Sequence, residues 1–159
     1  MSSLDWKKID DHQRPIDPNL PLQGHIVQPD LFLAICLWEG RGKVDCEAVG
    51  DKDTPFPAIG PAQIRQPYLE DANKQLEREG HPIYTLEEMK DYDKAKVVFD
   101  AYMRRYFVTG LEDRARCHNG GPMGCRKACT RKYWTGVRSY LGKKIERTLP
   151  WKPTPSSQL

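Results

Sequence analysis

The chain has 159 residues, of which 38% are hydrophobic and 30% charged, a balance that fits one domain with a modest core. No apolar run approaches the roughly 18–20 residues that a membrane-spanning helix needs, so we expect no membrane association. The net charge of +3 is uneven, with 12 Lys or Arg against 3 Asp or Glu between Arg104 and Arg147. Such a segment attracts anionic polymers, either nucleic acid or an acidic cell wall, unless it is simply a solvated helical face.

Both ends of the chain differ in composition from the part between them. Residues 1–28 are rich in Pro, Asp and Lys without an apolar period, which predicts an N-terminal arm. Residues 150–159 predict a loose tail. We therefore expect one domain over residues 29–149. The first residues contain no apolar stretch typical of a signal peptide, so we expect either an intracellular protein or a secreted one whose leader was removed.

A short apolar segment, LFLAICLWEG, opens the domain. Asp30 is a good N-cap and Gly40 a natural stop, so the segment predicts a helix that is buried on nearly all sides. The last residue of this helix, Glu39, is a carboxylate that follows an apolar run.

The rest of the domain has the pattern of a mainly helical protein. Residues 40–60 are rich in Gly, Pro and Asp, which predicts a small β-hairpin. Pro67 marks the start of a helix that Gly80 ends, and Thr85-Leu-Glu-Glu resembles a capping box. Apolar spacings of three and four then predict helices over about 95–106, 112–116 and 130–141, with a glycine-rich turn at 118–124. The predicted fold class is α+β and mainly helical.

Five cysteines leave at least one unpaired within the chain, although one or two disulfides would be compatible with this number. Cys117, His118, Cys125 and Cys129 offer four zinc-ligand types. Their spacing differs from paired CxxC motifs, and an adjacent Cys-His pair cannot easily bind one tetrahedral ion. We expect neither a metal nor another cofactor.

Glu39 is the first candidate for chemistry. A carboxyl in an apolar setting, beside a helix C-terminus, has its pKa raised, as a proton donor to a glycosidic oxygen requires. A simpler interpretation is a solvated Glu at the exposed end of a buried helix. A second, ionised carboxylate would come from Asp51 or Asp53 in the loop VGDKD, where turn aspartates are also common for structural reasons.

The segment from Ile35 to Leu141 resembles an invertebrate-type lysozyme, the group that includes destabilases. The matching pieces occur in the family's order: CLWEG, VGD, GPAQI, QPYLEDA, AYMRRY, ARCHNGGPMGC and Tyr133-Trp134. The resemblance implies that residues 29–149 are a catalytic domain of lysozyme-like fold, with a small antiparallel β-hairpin sheet and a substrate cleft. It also implies a peptidoglycan hydrolase that cleaves the β-1,4 bond between N-acetylmuramic acid and N-acetylglucosamine.

By this resemblance Glu39 is the general acid and Asp51 the second carboxylate, with Asp53 as an alternative because the loop before GPAQI is longer here. The residues implied to bind substrate are Gln63, Tyr68, His118, Asn119 and Gly120. Whether the product anomer is retained or inverted stays open, because it depends on carboxyl separation.

Three other interpretations remain. The cleft would bind glycan without cutting it, or Cys117 and His118 would serve a destabilase-like isopeptidase, or the basic segment would bind nucleic acid. We expect peptidoglycan strands rather than nucleic acid as the partner, and a monomeric protein.

Overall fold

The structure is a computed structural model that describes residues 29–142. Within these residues the helices are α1 (Leu31–Glu39), α2 (Gln66–Arg78), α3 (Tyr92–Arg105), α4 (Leu111–Gly120) and α5 (Arg131–Arg138). Strands β1 (Val49–Gly50) and β2 (Ala58–Ile59) form a two-stranded antiparallel sheet between α1 and α2. This arrangement confirms the mainly helical α+β class. The predicted arm at 1–28 and the tail at 150–159 lie outside the described residues, as do residues 143–149.

Helix α1 forms as its sequence predicts. A side-chain oxygen of Asp30 accepts a hydrogen bond from the Leu33 amide at 3.0 Å, and the Gly40 amide donates to the Cys36 carbonyl at 2.9 Å. Six of its nine residues are buried, because an almost wholly apolar helix is stable only inside the core. The position of Glu39 at the end of this helix follows directly from these two caps.

A tight turn follows β2 between Ile59 and Ile64, whose backbones exchange hydrogen bonds of 2.9 and 3.0 Å. Gly60 has a φ of 79° at the start of this turn. A Cβ at that position would overlap the Met89 carbonyl oxygen, so only glycine fits. The turn connects the sheet to α2 and brings both to one side of α1's last turn.

Helices α2 and α3 pack on each other and supply much of the core. Their buried residues recur at helical spacing and include Leu69, Ala72, Leu76, Ala95, Val98, Phe99 and Tyr102. Before α3, the Thr85 amide donates to Glu88 at 2.8 Å, which is one half of the predicted capping box. It caps a short 3-10 helix, Glu87–Lys90, rather than α3 itself, which begins at its own N-cap, Asp91.

Two helix boundaries differ from the sequence prediction. Helix α4 continues to Gly120, so His118 and Asn119 lie in its last turn and not in a glycine-rich turn. The contacts of His118 and the packing of Gly120 on Thr130 outweigh the low helix propensity of glycine. Helix α5 begins at Arg131 and ends at Arg138, three residues before Leu141.

The cysteines are all free thiols, and Cys36 and Cys117 are buried. In residues 29–142 no three His, Cys, Asp or Glu side chains are grouped so as to hold a metal ion, so the zinc alternative has no geometric support there. Among the helices of this part of the chain, none combines the length and the apolar character that crossing a membrane would require.

Candidate active site

A cleft of about 520 Å³ lies where the end of α1, the hairpin, the start of α2 and the end of α4 meet. Six of the seven residues predicted for the site line it, namely Glu39, Asp51, Gln63, Tyr68, His118 and Asn119. They come from separate parts of the sequence, and the fold brings them together. They differ in solvent exposure and in hydrogen-bond partners, and these differences determine what each side chain can do chemically.

Glu39 lies half-buried at the C-terminal end of α1, on the cleft wall. Burial raises the pKa of its carboxyl, and the nearby negative charge of Asp51 acts in the same direction. Hydrogen bonding by Tyr133 and the positive charge of Arg65 both lower this pKa, but burial is the largest influence. The net effect favours the protonated form more than in a solvated glutamate.

The Tyr133 hydroxyl donates a hydrogen bond to Oε1 of Glu39 at 2.8 Å. Tyr133 is buried in α5, and its own pKa is raised far above the usual tyrosine range, mainly by burial. The phenol therefore stays protonated and remains a donor. In the sequence Tyr133 stands out only as part of a family motif, because a contact over 94 positions leaves no local signal.

Asp51 is exposed and also lines the cleft, just after β1. Its backbone has a φ of 51°, and its carbonyl accepts hydrogen bonds from the amide and the hydroxyl of Thr54, which form a tight turn. The guanidinium of Arg65 forms a salt bridge with the Asp51 carboxylate. The salt bridge places a cation directly beside a carboxylate that is also open to solvent.

Arg65 also holds the loop that follows Asp51, since its second terminal nitrogen donates to the Phe56 carbonyl at 2.5 Å. The Phe56 side chain, 49% exposed, lines the cleft. Arg65 and Phe56 are therefore site residues that were not predicted from the sequence. The sequence comparison identified the loop before GPAQI only as longer than in the family. In the structure this loop forms part of the cleft wall through Phe56.

Asp53, the alternative second carboxylate, is exposed in the same loop but does not line the cleft. Between the two candidates, the geometry favours Asp51.

His118 is half-buried at the end of α4 and lines the cleft. Its Nε2 lies 2.8 Å from the Ala62 carbonyl, which can only accept, so Nε2 carries the proton. Nδ1 then accepts from the Tyr68 hydroxyl at 3.0 Å. Burial lowers the pKa of His118 to about 4, so the ring is neutral at pH 7. Both nitrogens are occupied, which differs from the expected hydrogen bond between this ring and substrate.

Tyr68 is half-buried, and one face of its ring stacks on Tyr102 with a centroid distance of 3.7 Å and an interplanar angle of 9°. That face is closed to a sugar. The Gln63 amide nitrogen is also committed, donating to Gly60 at 3.0 Å and Ala48 at 3.4 Å. Tyr68 and Gln63 thus shape the cleft mainly by fixing its walls.

Asn119 is exposed on the cleft wall and is well placed to reach a ligand. Gly120 differs from its predicted role, because a Cβ there would lie 2.5 Å from the Thr130 side chain. It serves helix packing, while the next residue, Gly121, lines the cleft with a φ of 83°. Gly121, and not Gly120, is therefore the glycine that borders the cleft.

Comparison with known proteins places this cleft in a family. No protein-family model matches the chain. Invertebrate-type lysozyme 3 of Caenorhabditis elegans is 31% identical over 123 residues, covering 71% of this chain and 86% of that protein. The crystal structure of Tapes japonica lysozyme matches with a TM-score of 0.56 and 30% identity, over 72% of this chain and 91% of the other. The structure of Meretrix lusoria lysozyme in complex with PliI of Aeromonas hydrophila matches with a TM-score of 0.56 and 26% identity, over 70% of this chain and 88% of the other. The chain belongs to the invertebrate-type lysozymes and is a hydrolase of the glycosidase class.

Proposed function

We propose that this enzyme cleaves the β-1,4 bond between N-acetylmuramic acid and N-acetylglucosamine in peptidoglycan. Glu39 is the general acid and Asp51 the second carboxylate. The observation that carries this proposal is the contrast between two carboxyl groups in one cleft. Glu39 is half-buried with a raised pKa, and Asp51 is exposed beside a cation.

The contrast matches the chemistry of glycoside hydrolysis. A neutral carboxylic acid gives its proton to the leaving oxygen, while an ionised carboxylate supports the positive charge that develops at the sugar carbon. Burial raises the pKa of Glu39 and so favours its neutral form, while the Arg65 guanidinium pairs with the Asp51 carboxylate. The cleft therefore presents a proton donor and a second carboxylate together. General acid catalysis of this kind accelerates a reaction on the order of 10²–10⁴-fold.

The assignment is tested with three single substitutions, each of which replaces a carboxyl group by an amide of nearly the same size. We expect Glu39→Gln to abolish lysis of cell-wall suspensions and Asp51→Asn to lose most activity, while Asp53→Asn, the matched control in the same loop, stays near the parent rate. Circular dichroism checks folding, and new reducing ends from purified peptidoglycan measure cleavage directly. Full activity of Glu39→Gln would reject the acid, and a larger loss in Asp53→Asn than in Asp51→Asn would reassign the second carboxylate.

The reducing-end assay also separates cleavage from binding alone. If the parent protein binds purified peptidoglycan but produces no new ends, the cleft is a recognition site and the hydrolase proposal fails for this substrate.

The isopeptidase interpretation finds little support in the geometry. Cys117 is buried, and burial raises the pKa of its thiol, which disfavours the reactive thiolate. Its Sγ lies 3.6 Å from the Pro122 carbonyl, and the adjacent His118 has both ring nitrogens occupied elsewhere. Neither group is available as a nucleophile or a base.

A further inference from the structure

We propose that Tyr133 is a positioning residue that decides which oxygen of Glu39 carries the catalytic proton. Its hydroxyl engages Oε1, so the proton of the neutral acid resides on Oε2, the oxygen left to face the substrate. This inference rests on the proposed role of Glu39 and adds to it a residue from a different helix.

The freedom of a glutamate carboxyl makes such a contact necessary. Rotation about its last side-chain bond is broad and roughly two-fold, so an isolated carboxyl exchanges its two oxygens freely. A proton donor with that freedom is correctly oriented for only part of the time. In this cleft the 2.8 Å bond from Tyr133 to Oε1 distinguishes the two oxygens. No other hydrogen bond to the Glu39 side chain is formed within residues 29–142, so the direction of this one decides the orientation.

The tyrosine can hold that direction because it is itself held. Tyr133 is buried in α5, and one turn later Gly136 lies against the ring of Trp38, the residue before Glu39. A Cβ at Gly136 would come within about 2.5 Å of that ring. The missing side chain thus lets α5 approach α1 closely enough for the Tyr133 hydroxyl to reach the carboxyl.

Donation also has a consequence for the acid's strength. A donor to the carboxylate stabilises its charged form, so the Tyr133 bond opposes the effect of burial on the pKa of Glu39. If Tyr133 instead accepted the proton of neutral Glu39, the same contact would stabilise the neutral form. The two directions therefore predict opposite changes when the hydroxyl is removed.

The experiment is Tyr133→Phe in the full chain, with Tyr84→Phe as a matched loss of one hydroxyl away from the cleft. The Glu39 carboxyl is titrated by carbon-13 NMR, with Glu39→Gln identifying its resonance. We expect Tyr133→Phe to raise the pKa of Glu39, to move the basic limb of the kcat profile to higher pH, and to lower kcat about tenfold with KM nearly unchanged. Tyr84→Phe should change none of these.

An unchanged or lowered pKa of Glu39 in Tyr133→Phe would overturn the proposal, whatever happens to activity. If the pKa of Glu39 rises as expected but kcat is unaltered, the hydrogen bond is confirmed and the positioning role is overturned. A second variant, Gly136→Ala, keeps the hydroxyl but displaces α5, and we expect it to shift the pKa and kcat in the same directions. The titration needs no turnover, so an inactive parent protein would refute the hydrolase assignment separately from the Tyr133 contact.

Discussion

His118 should make the folded state lose stability as the pH falls from 7 to 4. Loss of solvation in the folded protein lowers the pKa of this half-buried residue to about 4 from an ordinary value of 6.5, so the ring is neutral at pH 7. In the unfolded chain the same ring is solvated and takes up a proton near pH 6.5. Between these two values the unfolded state binds more protons than the folded state, so stability decreases as the pH is lowered and the loss is complete below about pH 4.

The size of the effect follows from the difference between the two pKa values. One pKa unit corresponds to about 1.4 kcal/mol, so the full difference is worth about 3.5 kcal/mol of unfolding free energy. Most of it falls above the range where ordinary carboxylates titrate, with about 2 kcal/mol lost between pH 7 and pH 5. This portion is the one to measure.

Glu39 affects the pH dependence of stability in the opposite direction to His118 as the pH is lowered. Because burial raises its pKa, the folded state takes up this proton first, and stability rises as the pH falls through that value. The comparison is therefore made in a Glu39→Gln background, where this second group no longer titrates and only His118 differs between the two proteins.

The assay is urea unfolding at pH 7 and pH 5 for Glu39→Gln with and without His118→Gln. Glutamine can still donate to the Ala62 carbonyl but cannot be protonated, so its own cost should not depend on pH. We expect the protein that retains His118 to lose about 2 kcal/mol more over this interval. Parallel pH dependences, differing by less than about 0.5 kcal/mol, would show that the ring is not held neutral, and the assigned contacts with Tyr68 and Ala62 would be wrong.

Three further predictions concern local features. Asp30→Ala removes the side-chain acceptor of the Leu33 amide and should cost about 1 kcal/mol in chemical denaturation, whereas Asp30→Asn, which keeps an N-cap oxygen, should cost much less. Gly60→Ala places a Cβ against the Met89 carbonyl at a backbone φ of 79°, so we expect the free energy of unfolding to fall by more than about 2 kcal/mol and the Tm to be clearly lower. An unchanged Tm would contradict this account of the turn after β2. Arg65→Gln removes the salt bridge to Asp51 and the hydrogen bond to the Phe56 carbonyl. Because the salt bridge is largely exposed, we expect stability to change by less than about 1 kcal/mol, whereas kcat, measured by reducing-end release, should fall strongly. A proportional loss of stability and kcat would indicate that Arg65 has a structural role only.

The sequence was most informative where the determinants are local. The bounds of α1 follow from Asp30 and Gly40, which act on neighbouring amides and carbonyls, and the apolar run between them is sufficient to predict burial. The position of Glu39 at the end of a buried helix was therefore predictable from the nine helical residues and their two caps. The amphipathic spacing of α3 was equally clear.

Other boundaries were not predictable, because tertiary contacts determine them. The glycines after Asn119 indicate a turn, yet α4 continues through Gly120, which packs on Thr130. The family resemblance implied that His118 binds substrate, but Tyr68 and Ala62, which lie 50 and 56 positions away in the sequence, occupy both of its ring nitrogens. No local pattern contains that information.

The basic segment at residues 104–147 shows that surface charge, too, is not predictable from local composition alone. Composition assigned a cationic surface to residues 104–147, but several of its arginines face carboxylates within 4 Å. These pairs are Arg104–Glu79, Arg105–Asp71, Arg114–Asp100 and Arg116–Glu112. Three of these four carboxylates lie outside the segment whose charge was counted, so the surface attracts a polyanion less than the charge of residues 104–147 implies. The basic segment is thus weaker evidence for nucleic-acid binding than its composition indicates.

The two carboxyl groups of the cleft combine both kinds of determinant. Burial of Glu39 follows from the apolar sequence of α1, but the hydrogen bond that orients it comes from α5, and the cation beside Asp51 comes from the residue that precedes α2. A helix with an apolar run and a terminal glutamate would supply a weak acid in any fold. It becomes a directed proton donor only when Gly136 allows α5 to lie against Trp38, so the acid's orientation depends on helix packing and not on the local sequence around Glu39.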